Sequence, residues 1–286
     1  MSATTYTSPV DKLLTLGEAE PVDSDKWPNY LELGFGPEHI PDLLRMATDR
    51  ELRGLESEEG EEEKPEFWAP IHALRTLGQL HAEAAAEPLV NMLAEVDQDN
   101  WIQEELPQIY ALIGPAAIPA LTAYLADSTH DVYTRGFAAE SLETIAQKYP
   151  ESRSECISAI SKQLEEYEEN DYELNAFLIA SLSHLKAIET LPLIERAFEA
   201  DRVDEFVIDL DDVHVGFGLK EREVVESPFL EMFKEISASR AKQNETPSHS
   251  QEESYELPTP PARTTTDKIL KFSGKKITKK KSKKKR

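Results

Sequence analysis

Apolar residues recur at intervals of three and four across residues 65–200, the spacing that puts them on one face of an α-helix. In "PEFWAPIHALRTLGQL" the periodic positions are Phe67, Ile71, Leu74, Leu77 and Leu80; in "NWIQEELPQIYALIG" they are Ile102, Leu106, Ile109, Leu112 and Ile113. "DVYTRGFAAESLETIAQKYP" starts after Asp131 and stops before Pro150, as an N-cap and a helix-ending proline predict. "ECISAISKQLEEY", "DYELNAFLIASLSHL" and "AIETLPLIERAFEA" continue the series, with almost nothing that reads as a strand. The connections are short, so neighbouring helices are expected to pack antiparallel. The pattern predicts an all-α protein.

Its organisation comes from an internal repeat. "GPEHIPDLL" at Gly36–Leu44 and "GPAAIPALT" at Gly114–Thr122 share the frame G-P-x-x-I-P-x-L. Looser copies surround Pro88 and Pro192, and a degenerate middle copy falls near Cys156 in "SRSECISAI", which gives a unit of roughly 31 to 37 residues. Gly114 is suited to a left-handed helix end and Pro115 to the first turn of the next helix. Each unit is then a helical hairpin that cannot bury its apolar faces alone, so stacked hairpins forming an α-solenoid are expected. Residues 1–64 read as a less regular helical cap carrying the acidic insert "ESEEGEEEK" at Glu56–Lys64. Residues 65–200 read as the repeats and 201–237 as an acidic closing segment. The polar, Pro-rich stretch from 238 to 286 reads as a disordered linker and tail.

Charge sharpens the picture. The formal net charge of −24 conceals two opposed parts. The last sixteen residues, "KFSGKKITKKKSKKKR", hold Lys271, Lys275, Lys276, Lys279, Lys280, Lys281, Lys283, Lys284, Lys285 and Arg286 with no acid. All 55 acids and the other 21 bases precede them. The apolar blocks never reach the run of roughly 18 residues that spans a bilayer, and no basic-then-apolar leader opens the chain. A cytoplasmic protein is expected, or a nuclear one if the host has a nucleus, since a lysine cluster also serves as an import signal.

Catalytic and metal chemistry is sparse. The single cysteine, Cys156, excludes an internal disulfide and a multi-cysteine zinc site, and its setting predicts a buried thiol. No H-x-x-x-H or H-E-x-x-H spacing brings two of His72, His81 and His184 to one metal, and no phosphate-cradling glycine loop or G-x-S-x-G occurs. Asp201, Asp204, Glu205, Asp209, Asp211 and Asp212 lack the calcium-loop pattern and read as a solvated acidic edge. No catalytic residue, metal or cofactor is expected. Trp68 and Trp101 fall about one repeat apart, near the starts of consecutive first helices. They are core residues or, if exposed, aromatic anchors for a bound peptide.

The units resemble HEAT-type repeats, in the broad group that includes the phycobilisome-lyase-like repeat proteins. More narrowly, "FWAPIHALRTLGQL", "LNAFLIASL" and "ADRVDEFV" resemble a family of bacterial proteins known as domain of unknown function 1186, over about Pro65–Leu219. The HEAT resemblance implies that second helices line a concave surface. Their polar positions would be Glu87, Glu95, Glu165, Glu166, Glu195 and Glu199, a carboxylate groove for a basic or amphipathic protein segment. Some members of the narrower family end in a SEC-C zinc motif. "SGKK" at Ser273–Lys276 is similar to its centre, but Ile269, Lys271, Lys280 and Lys281 stand where the cysteines would. Such a tail would bind no metal.

Three functions follow as expectations. The first is a non-catalytic protein–protein scaffold with a tail that localises or regulates it. The second is nucleic-acid or ribosome association through the tail, whose lysines would equally suit an anionic membrane surface or the acidic body itself. The third, implied only by the lyase-like resemblance, is a cofactor handler.

Overall fold

The computed structural model describes residues 5–20, 23–53, 64–93 and 100–221, without the side chains of 53 and 100–104. The acidic insert, Glu95, the indole of Trp101 and the Lys-rich tail therefore lie outside the described residues. Met1–Phe217 form one compact unit and Gly218–Arg286 a second. Among the described residues there is helix and no strand.

Eleven α-helices are described: α1 Ile40–Ala47, α2 Arg50–Arg53, α3 Ala69–Gln79, α4 Ala86–Leu93, α5 Asn100–Ile113, α6 Ile118–Ala126, α7 Val132–Lys148, α8 Arg153–Leu164, α9 Tyr172–His184, α10 Leu191–Glu199 and α11 Leu210–Gly216. The repeated G-P-x-x-I-P frame has a direct structural meaning. A single 3₁₀ turn precedes each second helix: Pro37–His39, Glu83–Ala85, Pro115–Ala117, Pro150–Ser152 and Ile188–Thr190. The second proline, Pro41, Pro119 or Pro192, then occupies the first two helical positions, where no intrahelical N–H bond is lost. The degenerate copy becomes Pro150 followed by α8, with Cys156 fully buried.

First helices pack on one another in chain order, α3 on α5, α5 on α7 and α7 on α9; α1 packs on α3, and α6 packs between α4 and α8. Leu74, Leu77, Leu106, Ile109, Leu142, Ile145, Leu178 and Leu182 close the seams between first helices and are fully buried. Each contributes about 1.5–3 kcal/mol by leaving water. The antiparallel expectation is corrected at one hairpin, where the chain bends by 110° between Glu105–Ile113 and Pro115–Ala126. The bend follows from Gly114, whose φ of +90° and ψ of −158° lie in a region open essentially to glycine alone, rather than in the left-handed helical region expected. Three other helices do end in left-handed residues that are not glycine. His81, Lys186 and Asp201 have φ between +48° and +54°, each followed by an N–H that returns to a carbonyl in the last turn. No single helix among the described residues is long and apolar enough to cross a membrane.

The N-terminal segment is an irregular strap of 3₁₀ turns, and α3 and α5 hold it by a polar row. His72, Arg75 and Gln79 recur at i, i+3 and i+7 on α3, beside the apolar row. Arg75, 1% exposed, grips Glu105 of α5 with both arms of its fork. The Nε–Oε2 distance is 2.9 Å. The Arg75 Nη2 also donates to the Glu20 carbonyl at 2.7 Å, and the guanidinium stacks 4.9 Å from the Trp27 ring. Gln79 accepts from the Tyr30 N–H and donates to the Pro28 carbonyl, both at 2.9 Å. Gln108 of α5 accepts from the Ser24 N–H at 2.6 Å.

This geometry sets the stability expected of two kinds of variant. Gly114→Ala should cost about 1–3 kcal/mol in urea unfolding. Gly36→Ala, at an extended φ of −141° and crowded only by the flexible Glu38 carboxylate, should cost less than about 0.5 kcal/mol. Equal losses would show that the two repeat glycines do the same work. Arg75→Met should cost about 3–5 kcal/mol because it strands a buried carboxylate, and adding Glu105→Leu should recover part of that loss; unfolding curves of the three variants measure the recovery.

Candidate partner-binding face

Two clusters merit a functional reading, and geometry separates them. The first is the buried set Tyr30, His72, Arg75 and Glu105, whose residue types suit acid–base work. Its hydrogen bonds are already spent on the fold. His72 Nε2 donates to the Gly17 carbonyl at 2.9 Å, which leaves Nδ1 to accept from the Tyr30 hydroxyl at 2.7 Å. Burial pushes the Tyr30 hydroxyl up to about 12 and holds the His72 imidazole below the usual histidine range, against the pull of the Gly17 carbonyl. With both ring nitrogens and both Glu105 oxygens engaged, this cluster holds the strap in place. Cys156 is likewise inert, its thiol pushed up to about 11 by burial.

The second cluster is the face made by α4, α6 and α8. A groove of about 600 Å³ runs between α4 and α6. Val90, Pro119, Ala120, Ala123 and Tyr124 give it an apolar wall, while Glu83, Glu87, Asp127 and His130 also line it. Asp127 is held in place because its Oδ1 accepts from the Thr129 N–H at 2.9 Å and from the Thr129 hydroxyl at 2.7 Å. Those bonds keep its carboxyl below the ordinary carboxylate range, so it stays charged. The His130 ring stacks on Tyr124 with centroids 3.8 Å apart.

Across α6, a cleft of about 360 Å³ lies between α6, α8 and the turn that follows α8. That turn is built by two side chains from the stretches that resemble the family. Asn175 of "LNAFLIASL" donates to the Tyr167 and Arg202 carbonyls at 2.9 and 2.7 Å. Arg202 of "ADRVDEFV" donates to the carbonyls of Glu168 and Asn170 at 2.6 and 2.7 Å and lies 4.3 Å from the Tyr172 ring. Asn170 in turn accepts from the Gln163 side chain and donates to the Gln163 carbonyl and Asn175 Oδ1.

The residues singled out by sequence are distributed unevenly. Glu87 lines the α4–α6 groove and Glu166 the α6–α8 cleft, both exposed. Glu165 is exposed just past α8, and Glu199 is exposed at the end of α10. Glu195 lies 4.0 Å from His214 of α11 and turns to that contact. Trp68 is 3% exposed and packs edge-on against Phe67, so it is a core indole and not an exposed anchor. Among the described residues no three His, Cys, Asp or Glu converge on a metal position. Asp209, from the acidic edge, caps α11 through the Asp212 N–H at 2.7 Å. Sequence reasoning missed Glu83, Asp127 and His130. They sit in turns between helices, where helical periodicity assigns no face.

Residues 50–234 match the family described as "Protein of unknown function (DUF1186)". The chain belongs to this family. No curated protein and no solved structure matches it. The DUF1186 match takes in α2 to α11 and therefore both clefts, whereas the strap and α1 precede it.

Two histidines should report the electrostatics in opposite senses. The His184 Nδ1–H donates to Glu143 at 3.1 Å, and this bond raises the imidazole above its ordinary value against the opposing effect of burial. His184 therefore adds stability that is fully present below about pH 6.5 and fades as pH rises through its raised value. His72, held neutral, removes stability as pH falls below about 6.5. Imidazole NMR titrations should show His184 protonated where His72 is still neutral; coincident midpoints would refute both assignments.

Proposed function

We propose that this DUF1186 protein is a non-catalytic scaffold that binds a basic or amphipathic segment of another protein. We read α3 to α10 as an α-solenoid of HEAT-like hairpins, with the second helices forming the binding face. One observation carries the reading: the α4–α6 groove joins an apolar wall to three carboxylates, Glu83, Glu87 and Asp127. A segment with one apolar and one cationic face meets both requirements, burying aliphatic surface while its lysines or arginines stay hydrated at the rim. The charge of the chain ahead of residue 271 favours the same partner, because it draws cations in over distances of the order of the roughly 10 Å Debye length. The small residues Pro119 and Ala123 on the exposed ridge of α6 let a bound backbone approach closely.

The ten cationic residues from Lys271 to Arg286 support a second role, in localisation or regulation. A nucleic-acid or membrane phosphate suits them by charge alone. The SGKK segment is in this reading a SEC-C-like remnant without zinc ligands.

The groove is tested by the fluorescence anisotropy of a labelled Lys/Leu amphipathic peptide titrated with full-length protein. Binding should weaken steadily with added salt. Glu83→Gln/Glu87→Gln/Asp127→Asn should bind several-fold more weakly and with a flatter salt dependence; the amide oxygen that replaces the Asp127 Oδ1 can still accept the Thr129 bonds. An identical salt slope in the triple variant would rule this groove out.

A further inference from the structure

We propose that the cleft between α6 and α8 is a carboxylate-binding site anchored by Arg135. The protein has two deeply buried arginines in the described α-helices, and they differ in one respect. Arg75 has a carboxylate. Arg135, 4% exposed, lines the cleft and has no carboxylate within ion-pair distance among the described residues. Its single side-chain hydrogen bond among those residues runs from Nε to the Leu125 carbonyl at 2.8 Å. That bond fixes one edge of the guanidinium and leaves the Nη groups without an acceptor among the described residues. Asp127 and Asp171 influence its charge from farther off. Both are exposed, so water screens much of their field.

Burying a guanidinium without a counter-charge is costly, and a protein does so where a ligand supplies the missing charge or where the cost is offset elsewhere. The surroundings of Arg135 favour a ligand. Thr122 and Ser128, both hydroxyl-bearing, line the same cleft, and Gln163 brings a side chain locked by Asn170. The Asn170, Asn175 and Arg202 network fixes that wall, so Gln163 needs no rearrangement when a ligand arrives. A guanidinium fork matches a carboxylate in two parallel bonds.

The rim decides between anions. Glu166 and Glu169 line the cleft and oppose a dianion such as phosphate, while Lys162 offsets only part of their charge. A single carboxylate is the anion that the cleft fits, from an aspartate or glutamate side chain or from a chain terminus. About 360 Å³ accommodates one such residue. The carboxylate site stands beside the proposed acidic groove and does not need it, since it lies on the opposite flank of α6.

The test uses ¹⁵N-labelled full-length protein and follows the Arg135 Nε–H and Gln163 side-chain amide resonances. The probes are N-acetylglutamate α-amide, which carries only a side-chain carboxylate, and N-acetylglycine, which carries only a terminal one. Inorganic phosphate and sodium chloride at matched ionic strength are the comparisons. At least one carboxylate should shift both resonances saturably, and the tighter probe identifies the source. Arg135→Gln should weaken that binding about tenfold or more, the scale of a lost charge-assisted bond. If the Gln variant melts out, Arg135→Lys keeps the charge without the fork and should still bind several-fold more weakly. Linear drift equal to that of chloride, tighter binding of phosphate, or unchanged affinity in the folded variant would each overturn the assignment. None of the probes is cationic, so a failure of the acidic groove leaves every one of these outcomes intact.

Discussion

The bidentate contact between Arg75 and Glu105 is the constraint around which the N-terminal half is arranged. Both groups are almost wholly buried, and neither ion tolerates that position without the other. The pair fixes α3 against α5, and the same guanidinium reaches the Glu20 carbonyl and the Trp27 face. A strap with little regular structure is thereby located by directional bonds as well as by apolar contact. His72, Gln79 and Gln108 extend the seam by satisfying backbone groups that an irregular segment cannot pair with itself.

The two buried arginines show how one residue type serves two ends. Arg75 is compensated inside the protein and acts as a rivet. Arg135 spends one N–H on a carbonyl that ends α6, and the rest of its charge faces a cleft. The loop forming the far wall of that cleft is over-determined by Asn170, Asn175 and Arg202. The face of α6 thus separates a groove rich in carboxylates from a cleft built around a cation, with a ridge of proline and alanine between them.

Helical character and the proline-marked starts of α1, α6 and α10 were legible because they rest on local rules. Periodicity three to four marks the buried side, and a proline in the first helical turn marks where a second helix starts. Glu87 and Glu166 were singled out only through the resemblance to HEAT-type repeats, which implies that second helices line one surface. Trp68 was ambiguous because an indole is equally at home in a core and at an interface; only its burial in the fold, edge-on to Phe67, decided it. The left-handed helix ends at His81, Lys186 and Asp201 were illegible, since a residue other than glycine there gives no compositional sign.

From the residues alone it followed that the protein is helical and where prolines would open its helices. These are properties of residues a few positions apart on one chain. What Arg75 grips, what Arg135 lacks and which acids share a groove were decided by tertiary structure alone. Each depends on distances between side chains that lie far apart in sequence, such as Arg75 and Glu105 or Glu83 and Asp127, and a periodic pattern contains no such distances. Charge and spacing state which groups exist; packing sets which of them are left facing solvent together.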